Sequence, residues 1–248
     1  MAAATDPLLQ AEGVTKRYGG LIANDAVAVT LQSGEVRGLI GPNGAGKTTF
    51  VNLLTGFEAL DAGRVALGGS DLTGLSAHRI AARGLVRTFQ VARVFANMSV
   101  RENLLLPFLA AGSPGGVPTG QARARELLVA STLEPMAEEP AGALSGGQRM
   151  LLQACAGFMI PSARLYVLDE PFAGINPVVK DTLIALIERE NRSEGRAFLI
   201  VSHEMAIVRR LCPRVTVMIQ GRVAAEGTLD EVARRADVVQ AYLGSAAA

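Results

Sequence analysis

One segment of this 248-residue sequence stands out: Val36-Arg-Gly-Leu-Ile-Gly-Pro-Asn-Gly-Ala-Gly-Lys-Thr-Thr-Phe50. It opens with a short apolar run, Val36–Ile40, of the kind that forms a buried parallel strand. Residues 41–48 then match the pattern G-x-x-x-x-G-K-[ST] of loops that bind phosphate groups. Residues 49–55 are predicted to form a helix that ends at Gly56. A strand, a glycine-rich loop and a helix in this order indicate a site for a nucleoside triphosphate.

Each residue type in this loop has a physical role in binding phosphate. Glycines allow a tight turn that points successive backbone N–H groups at an anion, and the helix N-terminus adds free donors. Lys47 is expected to supply a positive charge for the β- and γ-phosphates, and the hydroxyl group of Thr48 to bind Mg²⁺. The simpler alternative, a glycine-rich turn with a solvated lysine, does not explain the fixed spacing in this context. The predicted nucleotide-binding residues of the loop are Gly41, Pro42, Asn43, Gly44, Ala45, Gly46, Lys47, Thr48 and Thr49.

The composition limits the class of protein. Hydrophobic residues make up 49% of the chain, which is enough for one large domain with its own core. The net charge of +1 gives no electrostatic reason to expect nucleic acid as a partner. Cys155 and Cys212 lie in apolar contexts and are expected to be buried, reduced thiols. No signal peptide is recognisable and no apolar run reaches the roughly 18 residues of a membrane span, so any membrane association is expected to come through partners.

Strands and helices are predicted to alternate on both sides of a helical region, residues 91–155. Strands are predicted over residues 27–31, 35–40, 64–67, 85–89, 165–168, 197–201, 215–219 and 222–225, the last two as a hairpin. Helices are predicted over residues 77–83, 103–109, 123–129, 146–158, 178–190 and 204–211, and from 228 onward with a break near Asp237. Capping boxes are predicted at Ser99, Ser145 and Thr228, and a flexible loop over residues 112–120. The alternation predicts an α/β fold with a mainly parallel sheet.

A second motif, Arg164-Leu-Tyr-Val-Leu-Asp-Glu170, is an apolar strand that ends in two carboxylates. Such a strand delivers its last residues to the carboxyl end of a parallel sheet, where these folds bind ligands. Asp169 is expected to hold Mg²⁺, directly or through water, and Glu170 to act as a general base on the attacking water. An isolated Asp-Glu pair is more often a solvated strand end, but the phosphate-binding loop makes that interpretation the weaker one here.

The third motif, Leu144-Ser-Gly-Gly-Gln148, has the residues of a capped helix start with two glycines, which exposes free N–H donors to an anion. Its five residues are also identical to the signature motif of the ATP-binding-cassette (ABC) ATPases, and with the other two motifs the whole chain resembles that family. The resemblance implies a single nucleotide-binding domain over residues 1–248, with a P-loop NTPase (RecA-like) core and an N-terminal antiparallel β subdomain. Within it the catalytic α/β core spans 1–90 and 156–228, the helical signature lobe 91–155, and the C-terminal helical tail 229–248.

The resemblance also implies roles for matching residues. Gln90 resembles the glutamine that reaches Mg²⁺ and the attacking water, and His203 resembles the histidine that touches the γ-phosphate. Tyr18 resembles the aromatic residue that stacks on adenine, whereas His78 is expected to be structural. The predicted metal ligands are thus Thr48, Gln90 and Asp169, and the predicted catalytic residues are Glu170, His203 and Gln90.

In this family two cassettes pair head to tail, so that each ATP lies between the phosphate-binding loop of one subunit and the signature of the other. For this chain the second half-site consists of Ser145, Gly146, Gly147 and Gln148. The implied partners are a second ATPase subunit, identical or not, membrane permeases and, indirectly, an extracytoplasmic solute-binding protein. The implied location is peripheral, at the cytoplasmic face of the membrane. One residue departs from the family pattern: Asn176 stands where aspartate is usual, at the subunit interface.

Several segments resemble the ATPase subunits of importers for branched-chain, or hydrophobic, amino acids. They are the phosphate-binding loop, His78-Arg-Ile-Ala81, Arg87-Thr-Phe-Gln90, Pro171-Phe-Ala-Gly-Ile-Asn-Pro177 and Val239-Gln-Ala-Tyr-Leu-Gly244. That subgroup often carries Asn at the position of Asn176, but often Tyr at that of Gly146. An importer of urea, amides or another small solute therefore stays open. So does a soluble ABC-class ATPase acting on ribosomes or DNA, although those usually fuse two cassettes or insert long coiled coils. A GTPase would need an Asn/Thr-Lys-x-Asp motif, and Thr15-Lys-Arg-Tyr18 lacks its Asp.

Overall fold

The computed structural model describes residues 6–112 and 116–245. Its strands are β1 Leu9–Tyr18, β2 Leu21–Leu31, β3 Val36–Ile40, β4 Ala62–Leu67, β5 Ser70–Asp71, β6 Leu85–Arg87, β7 Leu165–Asp169, β8 Ala197–Val201, β9 Arg214–Ile219 and β10 Arg222–Gly227. Its helices are α1 Lys47–Leu54, α2 Ala77–Ala82, α3 Val100–Ala110, α4 Gly116–Ala130, α5 Gly146–Phe158, α6 Pro177–Glu194, α7 Met205–Leu211, α8 Leu229–Val232 and α9 Ala236–Ser245. No helix among these residues is long and apolar enough to cross a membrane.

Two sheets organise the chain. The larger has six strands in the order β10-β9-β3-β8-β7-β6, all parallel except the hairpin of β9 and β10, which confirms the predicted parallel sheet and hairpin. The smaller has four antiparallel strands in the order β2-β1-β4-β5 and confirms the antiparallel N-terminal part. The turn at Ser33-Gly34 therefore joins strands of two different sheets, β2 and β3.

Alternate side chains of the central strands enter two different cores. Along β7, Leu165 and Val167 pack with α1 and the antiparallel sheet, whereas Tyr166 and Leu168 pack with α5 and α6. The period of two places successive side chains on opposite faces of a strand. Because both faces are covered, every residue of β7 and β8 is buried, as expected for central parallel strands.

The prediction of a loop over residues 112–120 is wrong for residues 116–120. Helix α4 already begins at Gly116, whereas residues 113–115 lie outside the described part of the chain, as do 1–5 and 246–248 of the termini. Pro118 lies in the first turn, where a missing N–H costs no intrahelical bond. Gly120 lies against the Phe108 ring of α3, and a Cβ atom there would come within 2.7 Å of it. The absence of a side chain at Gly120 thus allows α3 and α4 to pack closely.

Helix α4 is tied to the α/β part by a buried ion-pair cluster around Glu190 of α6. The Glu190 carboxylate accepts from Arg123 Nη2 at 2.6 and 2.7 Å and from Arg196 Nη1 at 2.7 Å, and its side chain is only 1% exposed. A buried carboxylate is tolerated because both arginines pair with it.

The two thiols are free and buried as predicted, and burial raises the pKa of Cys155 and of Cys212 to about 12.

Candidate functional site

A cavity of about 690 Å³ opens at the carboxyl ends of the central parallel strands. Its volume lies within the range of small-molecule sites. The loop after β3, the last residue of β7 and the segment after β8 meet there because parallel strands end at one edge of the sheet. The predicted site residues that line it are Tyr18, Asn43, Gly44, Ala45, Gly46, Lys47, Thr48, Thr49, Gln90, Asp169, Glu170 and His203.

The loop between β3 and α1 is held tightly against its surroundings. A Cβ atom on Gly41 would lie 2.2 Å from the carbonyl oxygen of Met218, and one on Gly46, which has a φ of +91°, would lie 2.4 Å from that of Ala23. Only glycine fits these two positions. The side chain of Asn24 donates to the Gly46 carbonyl at 3.2 Å. The loop geometry is therefore fixed by neighbours from β2 and β9 as well as by its own sequence.

Lys47, the first residue of α1, curls back over the loop. Its Nζ donates to the carbonyl oxygens of Gly41 at 2.7 Å and of Pro42 at 3.0 Å. Burial lowers the pKa of Lys47, and the carboxylates of Glu170 and Asp169 partly oppose that shift. The ammonium group thus contacts the loop, and it lines the same cavity as the two acids whose charges affect its pKa.

Asp169 ends β7 and is paired with a residue to which the sequence motifs assigned no role. Arg87, the last residue of β6, donates from Nη2 to Oδ2 of Asp169 at 2.8 Å, and both side chains are 8% exposed. The signal in the sequence is weak, a single arginine after the short apolar run Leu85-Val86. Because β6 and β7 are adjacent and parallel, their last side chains come together only in the folded sheet.

Glu170 directly follows β7 and has an unusual backbone. Its φ is +49°, rare for a residue other than glycine, while its N–H donates to the Val201 carbonyl at 3.0 Å. Its Oε2 lies 3.0 Å from Nδ1 of His203. Strained residues of this kind concentrate at functional sites, and here the strain directs a carboxylate into the cavity.

Tyr18 and Gln90 lie at the rim of the cavity and are exposed. The hydroxyl group of Tyr18 donates to the carboxylate of Glu58, which raises the pKa of Tyr18. The residue is 45% exposed, and Nζ of Lys16 lies 5.5 Å from the centre of its ring. His78 is exposed on α2 and contacts only Ser76 among the hydrogen bonds of the described residues, at 3.1 Å. It lines no part of this cavity.

The signature residues 145–148 do not line the cavity. Ser145 caps α5: its hydroxyl group accepts from the Gln148 N–H at 3.3 Å, while Gln148 Oε1 accepts from the Ser145 N–H at 2.8 Å. Ser145 and Gly146 are exposed, and Gly147 packs against Val179 of α6. The predicted capping box is confirmed, and the helix start points its free donors to solvent.

Other cavity residues were not predicted. They are Leu21, Ile22 and Ala23 at the start of β2, Val201 at the end of β8, and Gln220 and Gly221 in the β9–β10 turn. The predicted strand began only at residue 27, because the polar pair Asn24-Asp25 interrupts the apolar pattern. The short run Leu21-Ile22-Ala23 after two glycines was the available signal.

Comparison with known proteins agrees with these features. The family model described as ABC transporter matches residues 24–173. The chain is 38% identical to the high-affinity branched-chain amino acid transport ATP-binding protein BraF of Pseudomonas aeruginosa, over 97% of this chain and 99% of that protein. It is 37% identical to the corresponding protein LivG of Escherichia coli strain K12, over 98% of this chain and 100% of that protein.

Solved structures give the same result for the fold. The ADP conformation of an ATP-binding cassette of an ABC transporter superposes with a TM-score of 0.82 at 31% identity, covering 97% of this chain and 100% of that chain. A nucleotide-free cassette from an ABC transporter has a TM-score of 0.82 at 30% identity and covers 95% of this chain and 98% of that chain. The resemblance inferred from the motifs is confirmed: this chain belongs to the ABC transporter family, as one of its ATP-binding cassettes.

Proposed function

We propose that this protein is the ATP-hydrolysing subunit of an importer for branched-chain or other hydrophobic amino acids. The observation that carries the proposal is the convergence of Lys47, Asp169, Glu170 and His203 on one cavity, while Ser145 lies outside it. The cargo is inferred from the relatives, since BraF and LivG are named as branched-chain amino acid transport ATP-binding proteins and match nearly the whole chain.

The triphosphate is proposed to bind along the loop of residues 41–49. The backbone N–H groups at the start of α1 and the ammonium group of Lys47 supply positive charge for the phosphates. Tyr18, exposed where it lines the cavity, is proposed to stack on the base. Glu170 is the proposed general base, and His203, within hydrogen-bonding distance of it, is proposed to contact the γ-phosphate.

Three oxygen-bearing side chains of the cavity also fit Mg²⁺. This ion binds oxygen ligands and usually keeps water and phosphate oxygens in its coordination sphere. Thr48, Gln90 and Asp169 line the same cavity and offer a hydroxyl, an amide and a carboxylate oxygen. These three residues are the proposed ligands. When bound, Mg²⁺ would neutralise negative charge on the phosphates.

Two copies, or this chain and a related one, are proposed to close around ATP head to tail. The cavity is open, and the exposed N-terminus of α5 carries unused N–H donors near Ser145 and Gly146. The γ-phosphate would give the second subunit an anion to bind, and hydrolysis would remove it. The remaining proposed partners are membrane permeases at the cytoplasmic face and, through them, a solute-binding protein.

Affinity purification of the tagged full-length chain from membranes of its own cells tests this function. We expect permease subunits to copurify, and leucine with the matching binding protein to stimulate ATP hydrolysis of the reconstituted complex. Stimulation by urea or an amide instead would assign a different cargo to the same type of importer. Copurification of ribosomes or DNA without any permease would overturn the importer function.

A further inference from the structure

The Arg87 side chain contacts three residues, two at α1 and one at the end of β7, although it does not line the cavity itself. Nη2 contacts Asp169 at the end of β7 at 2.8 Å, and Nη1 donates to Oδ1 of Asn52 in α1 at 2.6 Å. Nη1 also lies 3.4 Å from the hydroxyl group of Thr55, just after α1. The guanidinium group therefore links the helix that follows the phosphate-binding loop to the strand that carries the acidic residues.

Two aromatic rings enclose the same guanidinium group. Its Cζ atom lies 5.4 Å from the ring centre of Phe57 and 5.2 Å from that of Phe89. Such contacts fit a planar guanidinium group better than an ammonium group. Phe89 directly precedes Gln90, so Arg87 also contacts the segment that carries a proposed metal ligand.

A chain of hydrogen bonds extends from Arg87 toward the proposed base-binding side. Nδ2 of Asn52 donates to Oε1 of Glu58 at 3.2 Å, and the hydroxyl group of Tyr18 donates to the other oxygen of the same carboxylate. Through Asn52, Arg87 is thus connected to a network of hydrogen bonds on the side of α1. Its only carboxylate partner among the described residues is Asp169. A brace of this kind restricts the positions that the Asp169 side chain can adopt.

We propose that Arg87 is a positioning residue that orients Asp169 for Mg²⁺ in the nucleotide site. Arg87 engages one oxygen of the carboxylate, Oδ2, and a carboxylate has a second oxygen with which it can ligate a cation. Partners that hold a metal ligand in place tune metal affinity, and losing one typically costs about 10- to 100-fold. This inference rests on the proposed function, because it requires a metal–nucleotide site at Asp169.

The test compares nucleotide binding with and without metal, using the full-length chain and a fluorescent, non-hydrolysable ATP analogue. Affinity is measured once in EDTA and once in saturating Mg²⁺, for the wild type, Arg87→Met and Arg87→Lys. We expect Arg87→Met to weaken binding in Mg²⁺ by about 10- to 100-fold, the usual effect of losing such a partner, with affinity in EDTA unchanged. Arg87→Lys keeps the charge but loses the planar fork, so its loss should be smaller.

Arg64→Met is the matched control, because Arg64 forms an exposed ion pair with Asp71 at 3.2 Å, and it should change neither affinity. Equal losses in EDTA and in Mg²⁺ would mean that Arg87 is only a structural brace and would overturn the inference. The inference would also be overturned if Mg²⁺ increased the nucleotide affinity of the Arg87 variants as much as that of the wild type. If Arg87→Met does not fold, as judged by circular dichroism, Arg87→Lys decides by the same criterion. A wild type whose affinity does not depend on Mg²⁺ would instead overturn the proposed metal site itself, and this inference with it.

Discussion

Nδ1 of His203 lies 3.0 Å from Oε2 of Glu170, although the two residues follow different strands. Strands β7 and β8 are adjacent and parallel, so the residues just beyond their ends become neighbours. The His203 side chain is 69% exposed, whereas that of Glu170 is 16% exposed. The histidine can therefore reach a ligand that enters the cavity while it orients a more buried carboxylate.

The first prediction concerns Glu170 as the general base. Glu170→Gln keeps the shape of the side chain but removes its ability to accept a proton. We expect ATP binding to persist while turnover falls by roughly 10²- to 10⁴-fold, the usual contribution of a general base. Steady-state ATPase assays measure the fall, and size-exclusion chromatography with ATP should show an accumulated dimer, because the γ-phosphate is removed much more slowly.

Glu188→Gln is a suitable control for that variant, because Glu188 pairs with Arg192 on the surface of α6, away from the cavity. It should hydrolyse ATP at the wild-type rate. Turnover of Glu170→Gln close to that of the wild type would remove Glu170 from the proposed role.

The second prediction concerns the charge of Lys47. Burial lowers the pKa of this lysine, so its positive charge is lost at a lower pH than that of an ordinary lysine. The ammonium form is the one that attracts phosphate, so affinity for ATP should be highest below this pKa and should fall as the pH rises through it. Lys47→Ala should bind ATP weakly and without this alkaline fall. Fluorescence titrations across the alkaline range measure both effects.

Lys180→Ala provides the comparison, since Lys180 pairs with Glu204 and lines no part of the cavity. It should retain both the affinity and the pH dependence of the wild type. An unchanged nucleotide titration for Lys47→Ala would contradict the proposed phosphate site.

The third prediction concerns Asn176, which departs from the usual aspartate of the family. Its side chain caps α6 by accepting from the Val179 N–H at 3.0 Å. Asparagine and aspartate cap helices about equally well, so Asn176→Asp should leave the free energy of unfolding almost unchanged. Asn176→Ala should lower it by about 1 kcal/mol. Urea denaturation of the three proteins measures the difference.

Ser76→Ala is the internal control, because Ser76 precedes α2 without a side-chain capping bond. Its effect on the free energy of unfolding should be smaller than that of Asn176→Ala. If Asn176→Ala proves as stable as the wild type, the cap contributes nothing to the free energy of unfolding, and this prediction is wrong.

Features with local causes were predictable from sequence. The phosphate-binding loop, the strand before Asp169 and the three capping boxes depend on residues close together in the chain, and each lies where it was predicted. Strand β1 was missed because its register shifts between Ala11 and Val14 and again near Lys16, so the side chains do not alternate regularly. The helix at residues 116–120 was missed because glycine and proline normally favour loops.

The sequence by itself determined the family, the α/β fold and the identity of most cavity residues, because each motif carries its own backbone geometry and charge. Only the tertiary structure decided which of these residues meet. The contact between Arg87 and Asp169 joins residues 82 positions apart, and it exists because β6 lies beside β7 in the sheet. The same sheet order brings His203 to Glu170 and leaves Ser145 outside the cavity. Strand order is set by how both faces of the sheet are buried, and that packing depends on the whole chain at once.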